Sequence, residues 1–227
     1  MNQDAGENRE KLLIGISSCL VGEKVRFDGG HKQNRYILDT LGGYFRFRPF
    51  CPEVAIGLGV PRETIRLVDR DGKVEAVGNK DPQRTFTSQL IDIAQQQAHW
   101  HRQVFGYIVK KDSPSCGMER VRLYRGDLPK RDGIGVYTRT LMENFPTLPV
   151  EEEGRLADPV LRESFVKRVF INKRWQDMVA NGLDWGALTD FHARHKLILY
   201  SHDQDLGRKL GRELAAAHSQ PVAEYAP

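Results

Sequence analysis

Three cysteines, Cys19, Cys51 and Cys116, carry most of the chemistry legible in this chain. The first ten residues lack the basic start and apolar stretch of an export signal. An odd number of thiols in such a chain argues against a disulfide framework and for reduced thiols in metal or redox work, in the cytosol. No tight C-x₂-C pair is present, so spacing alone leaves several readings open: unrelated buried cysteines, a zinc or redox module, or a metal cluster. The surroundings say more. Ser-Cys, Cys-Pro-Glu and Ser-Pro-Ser-Cys-Gly are polar, turn-rich settings and poor core positions. Three thiolates would leave a [4Fe–4S] cluster one ligand short of the usual Cys₄ set. An iron without a protein ligand is a Lewis acid for a soft donor such as sulfur.

Polar residues near the thiols complete the candidate set. Glu53, two residues after Cys51, is placed to serve as acid or base if desolvated, or simply to cap a helix after Pro52. Ser113 and Ser115 flank Pro114 in a rigid loop that is either functional or an ordinary serine turn. Arg26 and the pair Lys110 and Lys111 are candidates for gripping a base or phosphate, against the plainer reading of solvated charges. Between Arg102 and Arg131 the chain has eight basic residues against three acids, so a basic stretch surrounds the third cysteine.

The elements that must position these groups can be read from pattern. Leu12 to Ser17 is a short apolar run suited to a buried parallel strand. His31 to Leu41 has helical spacing before Gly42-Gly43, and Tyr44 to Phe50 alternates aromatic and basic residues as a strand with its aromatics inward. Ile65–Val68 and Val74–Val77 flank an Asp-Gly turn and predict a peripheral hairpin. A long helix is expected over 85–101 and a third strand over 105–109. A helix near 133–146 and a strand near 148–156 follow. Each cysteine thus comes shortly after a strand, where ligands bind in open parallel sheets. The expected fold is α/β, an open, mostly parallel sheet with helices on both faces, over residues 11–157. Beyond Asp158-Pro159 the pattern is helical only, predicting a small all-α domain over 158–227. His192, His195 and His202 lie near one helical face there, as metal or phosphate ligands or merely packed.

Composition fits a globular protein: 227 residues, 40% apolar and 28% charged, with net charge +4. No apolar run reaches the roughly 20 residues a membrane helix needs. The mild basicity permits a nucleic-acid partner without demanding one.

Four ordered motifs carry a resemblance. Gly-Ile-Ser-Ser-Cys-Leu-Val-Gly, Val-Arg-Phe-Asp-Gly-Gly-His-Lys, Phe-Cys-Pro-Glu-Val and Lys-Asp-Ser-Pro-Ser-Cys-Gly resemble those of the bacterial thiouracil desulfidase (TudS-like) family, over Lys11 to Arg155. The resemblance implies that Cys19, Cys51 and Cys116 ligate a [4Fe–4S] cluster whose fourth iron, not ligated by protein, takes the substrate sulfur. It implies Glu53 and Ser113 as acid/base and substrate-positioning residues, in a hydrolytic desulfuration of a thiolated pyrimidine without net redox change. The helical segment around Phe191-His192-Ala193-Arg194-His195-Lys196 is similar to the accessory domain of the tRNA 4-thiouridine desulfidase branch, although shortened. That implies tRNA as the partner, with free thiouracil as the alternative substrate.

Overall fold

A computed structural model describes residues 10–126 and 128–216. The N-terminal lead-in and the closing HSQPVAEYAP lie outside the described residues. The chain divides into two compact units, one reaching to Asn172 and the other beginning at Lys173.

The first unit is built on a four-stranded parallel sheet in the order β2-β1-β5-β8: β1 (Leu12–Ser17), β2 (Phe45–Phe50), β5 (Tyr107–Val109) and β8 (Val150–Glu152). Helices cover both faces because residues along each strand alternate. Ile14, Ile16, Phe45 and Ile108 bury against α1 (Arg35–Asp39) and the first part of α6 (Pro159–Ala180), through Ile37, Phe165 and Val169. Tyr107, Val109 and Val150 face the other way, onto Trp100 of α4 (Ala98–His101) and Tyr137 and Leu141 of α5 (Val136–Asn144). Each large apolar side chain so buried contributes roughly 1.5–3 kcal/mol before entropy is counted.

A second sheet, of order β4-β3-β6-β7, extends the picture drawn from pattern alone. Its hairpin β3 (Ile65–Arg70) and β4 (Lys73–Gly78) turns at Asp71-Gly72, as the Asp-Gly signal predicts. The hairpin is not peripheral, since β3 pairs in parallel with β6 (Val121–Arg125), which pairs with β7 (Leu128–Gly133). Short α2 (Pro52–Ala55) links the two sheets in sequence. The helix expected over 85–101 begins later, as α3 (Thr87–Gln96), because Thr85 bridges to Val77. It breaks at Gln97, whose side-chain oxygen accepts from Trp100 Nε1 at 2.7 Å.

The second unit comprises the end of α6, α7 (Trp185–His202) and α8 (Gln204–Ala216). Asp184 caps α7 through Ala187 N. Trp175 meets Phe191 edge-on, and Phe191 lies against His195. No helix among the described residues is long and apolar enough to cross a membrane.

Candidate functional site

The three cysteines are each delivered by the carboxyl end of a parallel strand. Cys19 sits in the short 3₁₀ turn that continues β1, and its carbonyl accepts from Lys32 N. Cys51 follows β2 directly and occupies the cap position of α2, with Pro52 as the first helical residue. Cys116 lies beyond β5 on a loop clamped to α5. The amides of Val136 and Thr138, which an isolated helix start would leave without acceptors, donate to the carbonyls of Pro114 and Ser115. Thr138 Oγ1 donates to Cys116 O at 2.6 Å. Because β1 is flanked by β2 on one side and β5 on the other, the chain reverses its direction of travel across the sheet here, opening a crevice beyond the strand ends.

That crevice is a cavity of about 440 Å³ lined by all three thiols together with Glu53, Ser113, Arg26, Lys110 and Lys111. Of the sequence-predicted site residues of the first unit, all but Ser115 line this one space. The thiols sit in a distinctive environment. Burial, and then the charge of Cys51, push the Cys19 thiol up to about 11, while Lys110 and Arg26 act in the opposite sense. Burial raises Cys51 too, opposed by the α2 amides of Val54 and Glu53. Cys116 is pushed well above its ordinary value by burial, with Cys51, Glu53 and Cys19 adding to it and a hydrogen bond from Ser17 opposing. The three sulfurs thus oppose one another's ionisation, and each has a cation, an amide or a hydroxyl that favours the thiolate. A cationic iron–sulfur group would offset both the burial and the mutual repulsion that keep these thiols protonated, so the three soft donors suit it. Among the described residues, no three His, Cys, Asp or Glu side chains gather tightly enough to chelate one metal ion.

The remaining candidates differ in how free they are. Ser113 Oγ accepts from the amides of Ser115 and Cys116, so it organises the loop while its own O–H stays available to donate. Lys110 is paired with Glu153, whose second oxygen accepts from Lys111 N. Arg26 Nε is buried and lies 3.6 Å from Asp28 Oδ1, an ion pair longer than a hydrogen bond. Glu53 accepts from Arg62 and from Ser115 Oγ. Arg62 was not legible as a site residue, because it lies in a loop nine positions beyond Glu53 and no pattern marks it. The far wall, formed by Arg66 of β3 stacked over Tyr124 of β6, was missed with β6 itself.

In the second unit the histidines do not converge on a metal. His195 is buried, with Nε2 accepting from Arg174 and Nδ1 bonded to Phe191 O at 2.7 Å, while His202 is exposed. Packing accounts for His195.

The profile of the 2-thiouracil desulfurase family matches residues 14–153, more than half of the chain. Among solved structures, a [4Fe-4S]-dependent thiouracil desulfidase, TudS, is similar at 30% identity and a TM-score of 0.53, covering 69% of this chain and 99% of that one. No curated protein matches the chain.

Proposed function

This chain belongs to the 2-thiouracil desulfurase family, and we propose that it removes sulfur from a thiolated pyrimidine, 4-thiouridine in tRNA, giving uridine and hydrosulfide without net redox change. The observation that carries this reading is the convergence of Cys19, Cys51 and Cys116 with Glu53 and Ser113 on one cavity. The [4Fe-4S] dependence of the structural relative supports the cofactor.

Cys19, Cys51 and Cys116 would hold the cluster. A [4Fe–4S] cluster with one iron free of protein ligands supplies a Lewis-acid site for thiocarbonyl sulfur. Ser113, whose hydroxyl proton is uncommitted, orients the heterocycle by donating to it. Glu53, half-enclosed between two thiol loops, takes a proton from the water that attacks the ring carbon. Arg26 and Lys111, both on the cavity wall, grip the acceptor atoms of the substrate, while Lys110 serves through its charge beside Cys19. The helical second unit, with the basic stretch around Cys116, favours tRNA as the substrate carrier.

A second reading, free thiouracil as substrate, is favoured by the cavity's walls. All of its lining residues come from the first unit, and the structural relative is matched over 99% of its length without the remainder of this chain. Anaerobic reconstitution followed by incubation with 4-thiouridine-containing tRNA, nucleoside and free 4-thiouracil tests both, reading loss of thiocarbonyl absorbance and release of hydrosulfide. A brown protein absorbing broadly near about 400 nm is expected. Cys116→Ala should lose cluster and turnover together, and Glu53→Gln should keep the cluster and lower kcat by about 1,000-fold to a measurable residual rate. A colourless wild-type protein that binds zinc instead would overturn the reading.

A further inference from the structure

Glu53 is oriented before any substrate arrives. Its Oε2 accepts a hydrogen bond from Arg62 Nε at 2.9 Å, and Nη2 of the same guanidinium lies 2.8 Å away in the ion pair. Its Oε1 receives the hydroxyl of Ser115 at 2.9 Å. The guanidinium covers Oε2, whereas Oε1, with the Ser115 hydroxyl as its one donor, has an in-plane acceptor position left. The donors are themselves immobile. Arg62 is 6% exposed, with Nη1 donating to the carbonyls of Val25 and Gly59 and its amide donating to Phe27 O. Ser115 is fully buried, next to Cys116 on the loop clamped to α5. The contact therefore joins the Cys51 turn to the Cys116 loop.

We propose that Arg62 and Ser115 are positioning residues that hold Glu53 with an acceptor position open on Oε1, where the proton of the attacking water is received. The inference rests on the desulfidase reading above. Its balance is that of hydrolysis: water oxygen bonds the ring carbon, the C–S bond breaks, one water proton passes to Oε1 and the other stays on oxygen until the carbonyl forms. One proton leaves with sulfur as hydrosulfide and the other is released to solvent, so C=S plus H₂O gives C=O plus HS⁻ plus H⁺ and no electron is gained or lost. A carboxylate free to rotate would lose the aligned approach such a transfer requires.

The test is a double-mutant cycle on the anaerobically reconstituted chain with 4-thiouracil, supported by iron and acid-labile sulfide content. Arg62→Met should lower kcat by about 100-fold and Ser115→Ala by about 10-fold, with KM within about twofold and cluster content unchanged. Arg62→Lys should recover part of the loss. In a Glu53→Gln background, Arg62→Met should cost nothing further, because a residue acting through Glu53 has no role once Glu53 is gone. Additive losses, an unchanged kcat or an effect confined to KM would overturn the proposal. Should Arg62→Met not fold, Arg62→Lys and Ser115→Ala carry the same comparison.

A second arm does not depend on turnover. Urea unfolding of the metal-free chain should show Glu53→Gln with Arg62→Met losing less stability than the two single changes together, and strict additivity would overturn the orientation argument. A wild-type chain that takes up cluster but desulfurates nothing would sink the desulfidase reading while this arm still decides whether Arg62 holds Glu53.

Discussion

Individual side chains in this chain are defined as much by what occupies them as by what they are. Ser113 and Ser115 are identical in type and two positions apart, yet one keeps its hydroxyl proton for a ligand while the other spends it on Glu53. Lys110 and Lys111 divide similarly, since Lys110 is tied by its ammonium to Glu153. Behind the thiols, His101 donates or accepts through Nε2 with Tyr137 at 2.7 Å, among Trp100, Tyr107 and Phe145. Burial is the main cause of its pKa falling from 6.5 to about 4, so folding holds it neutral. Between those two values the unfolded chain binds the proton that the folded chain refuses, so stability rises with pH across the window and is lost as pH falls from about 6.5 to about 4. The loss is on the order of 3 kcal/mol. Urea unfolding of the metal-free chain at pH 4.5 and 7 should show it, and His101→Gln should flatten that slope. An equal slope in the variant would assign the acid sensitivity elsewhere.

At the scale of elements, the site depends on how closely α5 approaches the Cys116 loop. Gly135, the residue before α5, has no room for a side chain: a Cβ there would lie 2.6 Å from the Ser115 carbonyl carbon and oxygen and 2.7 Å from Cys116 N. These are backbone atoms and cannot swing aside. Gly135→Ala should therefore push the loop off the helix start, breaking the bonds from Val136 and Thr138. The expected outcome is a stability loss of roughly 1–3 kcal/mol, as for overpacked sites. Cluster uptake should fall to a minor fraction, measured as iron per chain. Full uptake with wild-type stability would show that the loop tolerates the shift. The same close packing explains why Ser115, on the loop, meets Glu53, on α2.

For the whole molecule, two units of different character share one chain. The first holds the cavity and all of its walls, and the second is a set of helices around Trp175, Phe191 and His195. Cutting the chain after Ala180 keeps α6 whole and removes α7 and α8. The shortened chain should take up the cluster and act on free 4-thiouracil with kcat/KM within about threefold of the full chain, whereas action on tRNA should fall at least about tenfold if those helices contribute to RNA binding. Steady-state kinetics with both substrates checks it, and equal loss on both would mean the second unit supports the catalytic unit itself. Basic residues around Cys116 are partly neutralised, Arg125 by Asp69 and Asp132 and Arg131 by Asp112, so the local charge excess is smaller in space than in sequence.

Strand-then-cysteine order, the hairpin at Asp71-Gly72 and the helical character after Pro159 were all determined by local pattern, because apolar periodicity and turn chemistry are properties of neighbouring residues. The α/β class followed from the same information. Strands β6 and β7 were not legible: β7 reads Leu-Pro-Lys-Arg-Asp-Gly and is exposed along nearly all of its length, so it carries no alternation. Nor was the role of Arg62, whose partners are a carboxylate on α2 and carbonyls of two loops. Which hydroxyl is spent, which lysine is tied and which guanidinium fixes the carboxylate are matters of long-range hydrogen bonding. Only the packed tertiary structure decides them, because those bonds exist only once separate loops have been brought within 3 Å of one another.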